Sequence, residues 1–262
     1  MSSIGLIGFG AIAQPVVAKL NDEIAGGPDI VGILILEGEV HEDPLPFVTD
    51  LDELLSRRPK VIAECASHEA VHLHGESVLR AGVDLIVISI GALADSDLHD
   101  RLRAAAYDSG SKLILPSGAI GALDALSSAR LAGLEQVCYR SRKPPRAWKG
   151  TPAEDAADLD QLTAPQVVYR GSAREAALLF PKNTNAVAAV ALAGLGFEDT
   201  EVELVADPTV SANIHEIDAE AVSGDLSIRL EGRPSADNPR TSMLTAFSVT
   251  RALLNYDGSV VI

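Results

Sequence analysis

Ile4-Gly5-Leu6-Ile7-Gly8-Phe9-Gly10-Ala11-Ile12-Ala13 is the stretch whose reading decides the fold. Its opening apolar run reads as a buried strand, and Gly8 to Ala13 then turn the chain into a helix over Gln14 to Leu20. The G-x-G-x-x-G/A spacing is that of a dinucleotide-binding βα turn. Gly8 makes the tight turn, Gly10 lets the backbone approach a pyrophosphate, and the small Ala13 lets the helix lie close to the strand. The helix mouth, with Ala11 and Ile12, offers unpaired N–H groups and a partial positive charge to the phosphates. A second apolar strand, Ile30 to Leu36, ends at Glu37. A carboxylate there accepts hydrogen bonds from the ribose hydroxyls of the adenosine and repels a 2′-phosphate. No arginine follows it directly, so the expected cofactor is NAD, with NADP as the alternative.

The whole chain bounds the reading. Its 262 residues, 47% hydrophobic and 22% charged, give an ordinary globular composition with enough chain for one large core or two modest ones. A formal net charge of −16 argues against nucleic acid and against an anionic membrane surface as partners. In so acidic a chain the position of each Lys and Arg carries information about anionic ligands. Cys65 and Cys138 form no spaced framework, which fits a reducing compartment. The first strand begins without a basic region and apolar signal core before it, and no apolar run is long enough to span a bilayer. The expected location is cytoplasmic.

Further along, Gly38 to Phe47 reads as a loop, and Asp50 with Glu53 has capping-box spacing before a short helix. Strands are expected at Lys60 to Cys65, Asp84 to Ser89 and Lys112 to Pro116, with helices from Ser67 to about Arg80 and from Ser96 to Ser109. Apolar runs alternating with amphipathic helices imply parallel βαβ units. The pattern then changes. Gly121 to Gly133 reads as helix and Gln136 to Arg142 as extended, and the prolines of Lys143-Pro144-Pro145-Arg146-Ala147-Trp148 can continue neither. Thr151 to Glu154 and Ser172 to Glu175 have capping-box spacing, and a small-residue helix follows from Asn185. Val202 to Val205, Val210 to Ala219 and Leu226 to Leu230 read as an antiparallel meander before a last helix from Thr241 to about Leu254. The expected fold class is α/β. A Rossmann doubly wound parallel sheet occupies 1–117, a smaller α+β domain for substrate and dimerisation occupies 118–240, and 241–262 packs back on the first.

Ligands of an open α/β sheet collect beyond the carboxyl ends of its strands. Besides the glycine turn and Glu37, those tips are Cys65-Ala66-Ser67, Ser89-Ile90-Gly91 and Pro116-Ser117-Gly118-Ala119, all small or polar. Cys65 reads as a small neutral residue beside the nicotinamide ribose, since nothing nearby lowers its pKa. His68 and His72 share a helix face, but without an H-E-x-x-H pattern no metal site is expected. In the second domain, Lys182-Asn183-Thr184-Asn185, Asn213-Ile214-His215-Glu216-Ile217 and Asn238-Pro239-Arg240-Thr241-Ser242 form a sharper cluster. Strand alternation puts Asn213, His215 and Ile217 on one face. A histidine ordinarily titrates near neutral pH, as a proton shuttle requires, which makes His215 the candidate base. Lys182, Asn183, Asn213, Arg240, Thr241 and Ser242 are candidates to hold the carboxylates of a small acid.

The segments GFGAIA, ECASHEAV, SIGALAD, LPSGAIGALDAL, RKPPRAW, FPKNTNAVAAVALAGLG, ADPTVSANIHEI and NPRTSMLTAFS resemble the L-aspartate dehydrogenases, whose second domain is homoserine-dehydrogenase-like. The resemblance runs through nearly the whole chain. It departs at Ala221-Val222-Ser223-Gly224, where members usually carry a Gly-x-Phe-Gly-like turn. It implies that His215 is the catalytic histidine and that Ala119 and Asn185 contact the nicotinamide cofactor. It further implies oxidation of L-aspartate through iminoaspartate to oxaloacetate and ammonia, reversible as reductive amination. A homodimer and a role in supplying iminoaspartate to NAD biosynthesis also follow from the resemblance. The competing readings are a related oxidoreductase acting on another small amino or oxo acid, and a non-catalytic NAD(H)-sensing protein.

Overall fold

The computed structural model describes residues 2–23, 28–181, 184–233 and 242–261, and the chain divides into two compact units. The first comprises Met1–Pro116 with Thr245–Ile262, the second Ser117–Leu244. No helix among the described residues is long and apolar enough to cross a membrane.

The first unit is built on β1 (Ser3–Ile7), α1 (Ala13–Glu23), β2 (Asp29–Leu34), β3 (Phe47–Val48), α2 (Leu51–Ser56), β4 (Val61–Glu64), α3 (His68–Arg80), β5 (Asp84–Val87), α4 (Ser96–Ser109) and β6 (Leu113–Ile114). The strands make one parallel sheet in the order β3-β2-β1-β4-β5-β6. The chain runs outward from β1 to β3 and then returns to β4 on the other side, so β1 and β4 flank the switch point where such sheets bind nucleotides. β4 and β5 are buried along their whole length, as strands covered on both faces must be. Ile4, Leu6, Val16, Leu20, Ile33 and Ile86 share a core with Val249 and Leu253 of the C-terminal helix. Local signals set the helix starts. Asp50 accepts the N–H of Glu53 (3.0 Å), Ser67 that of Ala70 (3.2 Å), and Asp95 those of Asp97 and Leu98. The stretch expected to be loop up to Phe47 ends in the two-residue β3, which borrows its partner from β2.

The second unit contains α5 (Leu123–Ala132), β7 (Leu134–Lys143), α6 (Ala153–Ala156), β8 (Gln166–Ser172), α7 (Ala173–Leu179), α8 (Thr184–Ala193), α9 (Gly196–Asp199), β9 (Glu201–Ala206), β10 (Ile214–Ala221) and β11 (Leu226–Glu231), followed by α10 (Met243–Asp257). Its sheet has the order β11-β10-β7-β9-β8. This corrects the expected meander. β10 and β11 do form a hairpin, but β9 pairs with β7 in parallel, and β7 separates it from β10. Charge explains the insertion. Arg140 and Arg142 on one face of β7 meet Glu203 and Asp207 on the β9 side and Glu216 on the β10 side. β8 has no counterpart in the sequence reading; it pairs antiparallel with β9. The capping box at Ser172 and Glu175 forms in full. The one expected at Thr151 does not. Thr151 Oγ1 accepts from Ala153 instead, while Glu154 accepts the N–H of Gly150 (3.0 Å).

Candidate active site

In the first unit the glycines of the βα turn serve different ends. Gly8 sits at φ +87°, and its N–H donates to Leu34 O (2.7 Å). A Cβ there would lie 2.7 Å from Cβ of Ala66 in the turn after β4, so neither residue can grow. A Cβ on Gly10 would meet nothing within 4 Å. Packing does not require glycine at position 10; the open space is what close approach of a pyrophosphate needs. Ala11 and Ile12 are half-buried in the turn, Ala13 is fully buried, and the N–H of Gln14 donates to Gly10 O as α1 begins. These residues fit a dinucleotide cofactor. Glu37 is exposed beyond β2, in a tight turn closed by Glu39 N–H to Leu36 O (3.1 Å). Beside the glycine turn, Phe9, His41 and Phe47 form a ring cluster with centroids 4.9–5.1 Å apart.

The turns after β4 and β5 are joined by a residue that sequence reasoning passed over. Glu64, 1% exposed, accepts the N–H of Ala66 (2.8 Å), the N–H of Ser89 (3.0 Å) and the hydroxyl of Ser89 (2.9 Å). Burial raises its carboxyl above the usual range, against the lowering effect of those donors. It read as one more strand residue, and only its position as the last residue of an apolar strand set it apart. Cys65 beside it is buried, and burial together with the Glu64 charge pushes its thiol well above its ordinary value. It is an inert thiol. Ser67 is exposed and occupied as the cap of α3.

In the second unit His215 lies on β10, 6% exposed, with Nδ1 2.7 Å from Oη of Tyr139 on β7. The two rings are nearly parallel with centroids 6.1 Å apart. The register puts His215 opposite Ser141 and Ile217 opposite Tyr139, so Tyr139, Ser141, His215 and Ile217 share one sheet face. Tyr139 also hydrogen-bonds the Ser141 side chain, and burial raises its phenol. Burial, helped by the charge of Lys143, pulls His215 down to about 4, so its imidazole is neutral near pH 7. The tautomer sets which partner donates in this hydrogen bond; in the tautomer protonated at Nδ1, the phenol oxygen accepts and Nε2 is the nitrogen able to take a proton.

The remaining candidates are placed as follows. Ala119 lies half-buried in a turn closed by Ile120 N–H to Ser117 O (3.1 Å). Asn185 is exposed in the first turn of α8. Asn213 is half-buried just before β10, its carbonyl accepting Gly232 N–H (2.9 Å), and Ser242 Oγ accepts Leu244 N–H (3.3 Å). Lys182, Asn183, Arg240 and Thr241 lie outside the described residues. Tyr139, Ser141 and Lys143 were missed. The signal for them was the alternation of Gln136 to Lys143, which points every second side chain the same way.

Two family models match the chain: "Homoserine dehydrogenase, NAD binding domain" over residues 8–116 and "Aspartate dehydrogenase, C-terminal" over 124–256. L-aspartate dehydrogenase of Pseudomonas aeruginosa is 48% identical, with 98% of each chain covered. The chain belongs to the aspartate dehydrogenase family. L-aspartate dehydrogenase of Ralstonia nicotianae is 44% identical over 97% of each chain. The crystal structure of aspartate dehydrogenase from Thermotoga maritima is 28% identical, with a TM-score of 0.81 and 100% of this chain and 99% of that one covered. Membership makes this aspartate dehydrogenase homologue an enzyme of the oxidoreductase class with a nicotinamide cofactor. The glycine turn, Glu64 and Cys65 fall in the first matched segment, and Tyr139 and His215 in the second.

Proposed function

We propose that this protein is an NAD-dependent L-aspartate dehydrogenase, interconverting L-aspartate with oxaloacetate and ammonia through iminoaspartate. The observation that carries the reading is the buried His215–Tyr139 pair: a neutral imidazole held at Nδ1 by a phenol, with Nε2 left to exchange protons. Gly8, Gly10, Ala11, Ile12, Cys65, Ala66, Ser67, Ala119 and Asn185 would hold the cofactor, with Glu37 favouring NAD over NADP through the ribose hydroxyls. When bound, the nicotinamide supplies the acceptor for the hydride that leaves the α-carbon of the substrate. His215 takes a proton from the α-ammonium before that departure. It releases that proton to solvent, then takes a proton from the attacking water and hands it to the nitrogen, which leaves as ammonia while the carbinol hydroxyl gives up its proton to become the carbonyl. Tyr139 accepts from Nδ1–H in both charge states of the ring, so the imidazole need not turn between steps. Lys182, Asn183, Asn213, Arg240, Thr241 and Ser242 are proposed substrate contacts. The protein is read as a cytoplasmic homodimer, and supply of iminoaspartate to NAD biosynthesis remains part of the proposal.

The deciding assay is NADH oxidation with oxaloacetate and ammonium, followed by chromatographic identification of L-aspartate, run in parallel with NADPH. Turnover with L-aspartate as product supports the reading. Tight NADH binding without turnover of any oxo acid plus ammonium favours the sensing protein instead.

A further inference from the structure

We propose that Lys143 is a substrate-binding residue that holds a carboxylate of the dicarboxylic substrate on the sheet face it shares with His215. The inference rests on the proposed dehydrogenase function and adds a residue to it. β7 alternates, so Tyr139, Ser141 and Lys143 lie on one face and Arg140 and Arg142 on the other. The two arginines are engaged by Glu203, Asp207 and Glu216 on their own side of the sheet. Lys143 is thus the cation of β7 on the His215 side, two residues beyond Ser141, which pairs with His215. Its charge reaches the imidazole and contributes to keeping it neutral.

The ammonium is positioned. Nζ stands 5.3 Å from the centroid of the Trp148 ring. That indole is fully buried and pinned by Nε1–H to Val205 O (3.1 Å). Backbone pairing fixes the root of the side chain, because Asp207 N–H donates to Lys143 O (2.8 Å). Burial pulls the ammonium down to about 8, which leaves it mostly protonated near pH 7 and costs it hydration that an anionic ligand would offset. In a chain of net charge −16, an unneutralised dicarboxylate needs such a local cation.

Succinate, an unreactive four-carbon dicarboxylate, is the probe, titrated calorimetrically into the full-length protein with NAD present. Lys143→Met keeps the stem over Trp148 and removes the charge; Lys143→Arg keeps the charge. We expect Lys143→Met to raise the Kd for succinate about ten- to a hundredfold, the range set by losing a charge-assisted hydrogen bond. Lys143→Arg should stay within about threefold, and the NADH Kd should stay within about twofold in both. In turnover, Lys143→Met should raise KM for oxaloacetate far more than it lowers kcat. Lys143→Gln repeats the measurement should Lys143→Met melt early. Absence of succinate binding by the unaltered protein, or equal binding by the neutral variants, overturns the proposal. Lys143-dependent succinate binding without turnover of oxaloacetate and ammonium would keep the anion site and remove the dehydrogenase reading.

Discussion

The two sheets build their functional groups in opposite ways. In the parallel sheet, β4 and β5 are apolar and closed on both faces, and the groups that could meet a cofactor are backbone and small residues in the turns beyond the strand ends. In the mixed sheet the strands themselves carry the chemistry. One face is a lattice of arginines and carboxylates, and the other presents Tyr139, Ser141, Lys143 and His215 from mid-strand positions. A parallel sheet has no side-chain face to spare, so it recognises a ligand with N–H groups and glycine geometry. An antiparallel pair brings side chains from distant sequence into register and can assemble a proton relay.

Mutations can break this contrast, beginning with the largest effect. Glu64→Ala leaves the N–H groups of Ala66 and Ser89 and the Ser89 hydroxyl without their acceptor. We expect a loss of roughly 3–5 kcal/mol of stability, read by thermal or urea denaturation, together with weaker NADH binding. His215→Ala should instead lower kcat at least about a hundredfold while leaving NADH affinity nearly intact. A variant with unchanged kcat would take His215 out of the mechanism.

The same residue makes a pH prediction. The folded His215 titrates near 4, below its ordinary 6.5. As pH falls through that interval the unfolded chain takes up a proton that the folded chain refuses, so stability drops, by on the order of 1–3 kcal/mol. Melting temperature should therefore fall less steeply between pH 6.5 and 4 in His215→Ala than in the unaltered protein. Equal slopes would show that the imidazole is not held neutral.

The smallest effects separate the glycines. Gly8→Ala forces a left-handed φ on alanine and drives Cβ into Ala66, which should cost about 1–3 kcal/mol. Gly10→Ala should melt within about 0.5 kcal/mol of the parent yet bind NADH more weakly, because its Cβ enters only ligand space. Similar melting losses for both would mean that both glycines are structural.

What could be read from the sequence follows the range of the interactions. The glycine turn, the caps at Asp50, Ser67 and Ser172, and the α/β class are written within a few residues, and they appear in the structure where the pattern put them. The contact of Tyr139 with His215 spans 76 residues and depends on β10 lying beside β7, which the expected meander did not provide. The arginine and carboxylate ladder that sets this strand order is scattered over β7, β9 and β10, and no local window contains it. Lys143 was hidden for the same reason. In sequence it opens a proline-rich interruption, whereas in the structure it is the last residue of a strand whose side chains alternate through it.

Trp148 is the single tryptophan of the chain, fully buried, with an ammonium over its ring. The Lys143 charge acts on that indole at close range, and no second indole dilutes its emission. Neutralising that charge, by a bound anion or by alkali, should change the colour of the fluorescence. Tryptophan emission thus offers an optical readout of anion binding beside Lys143.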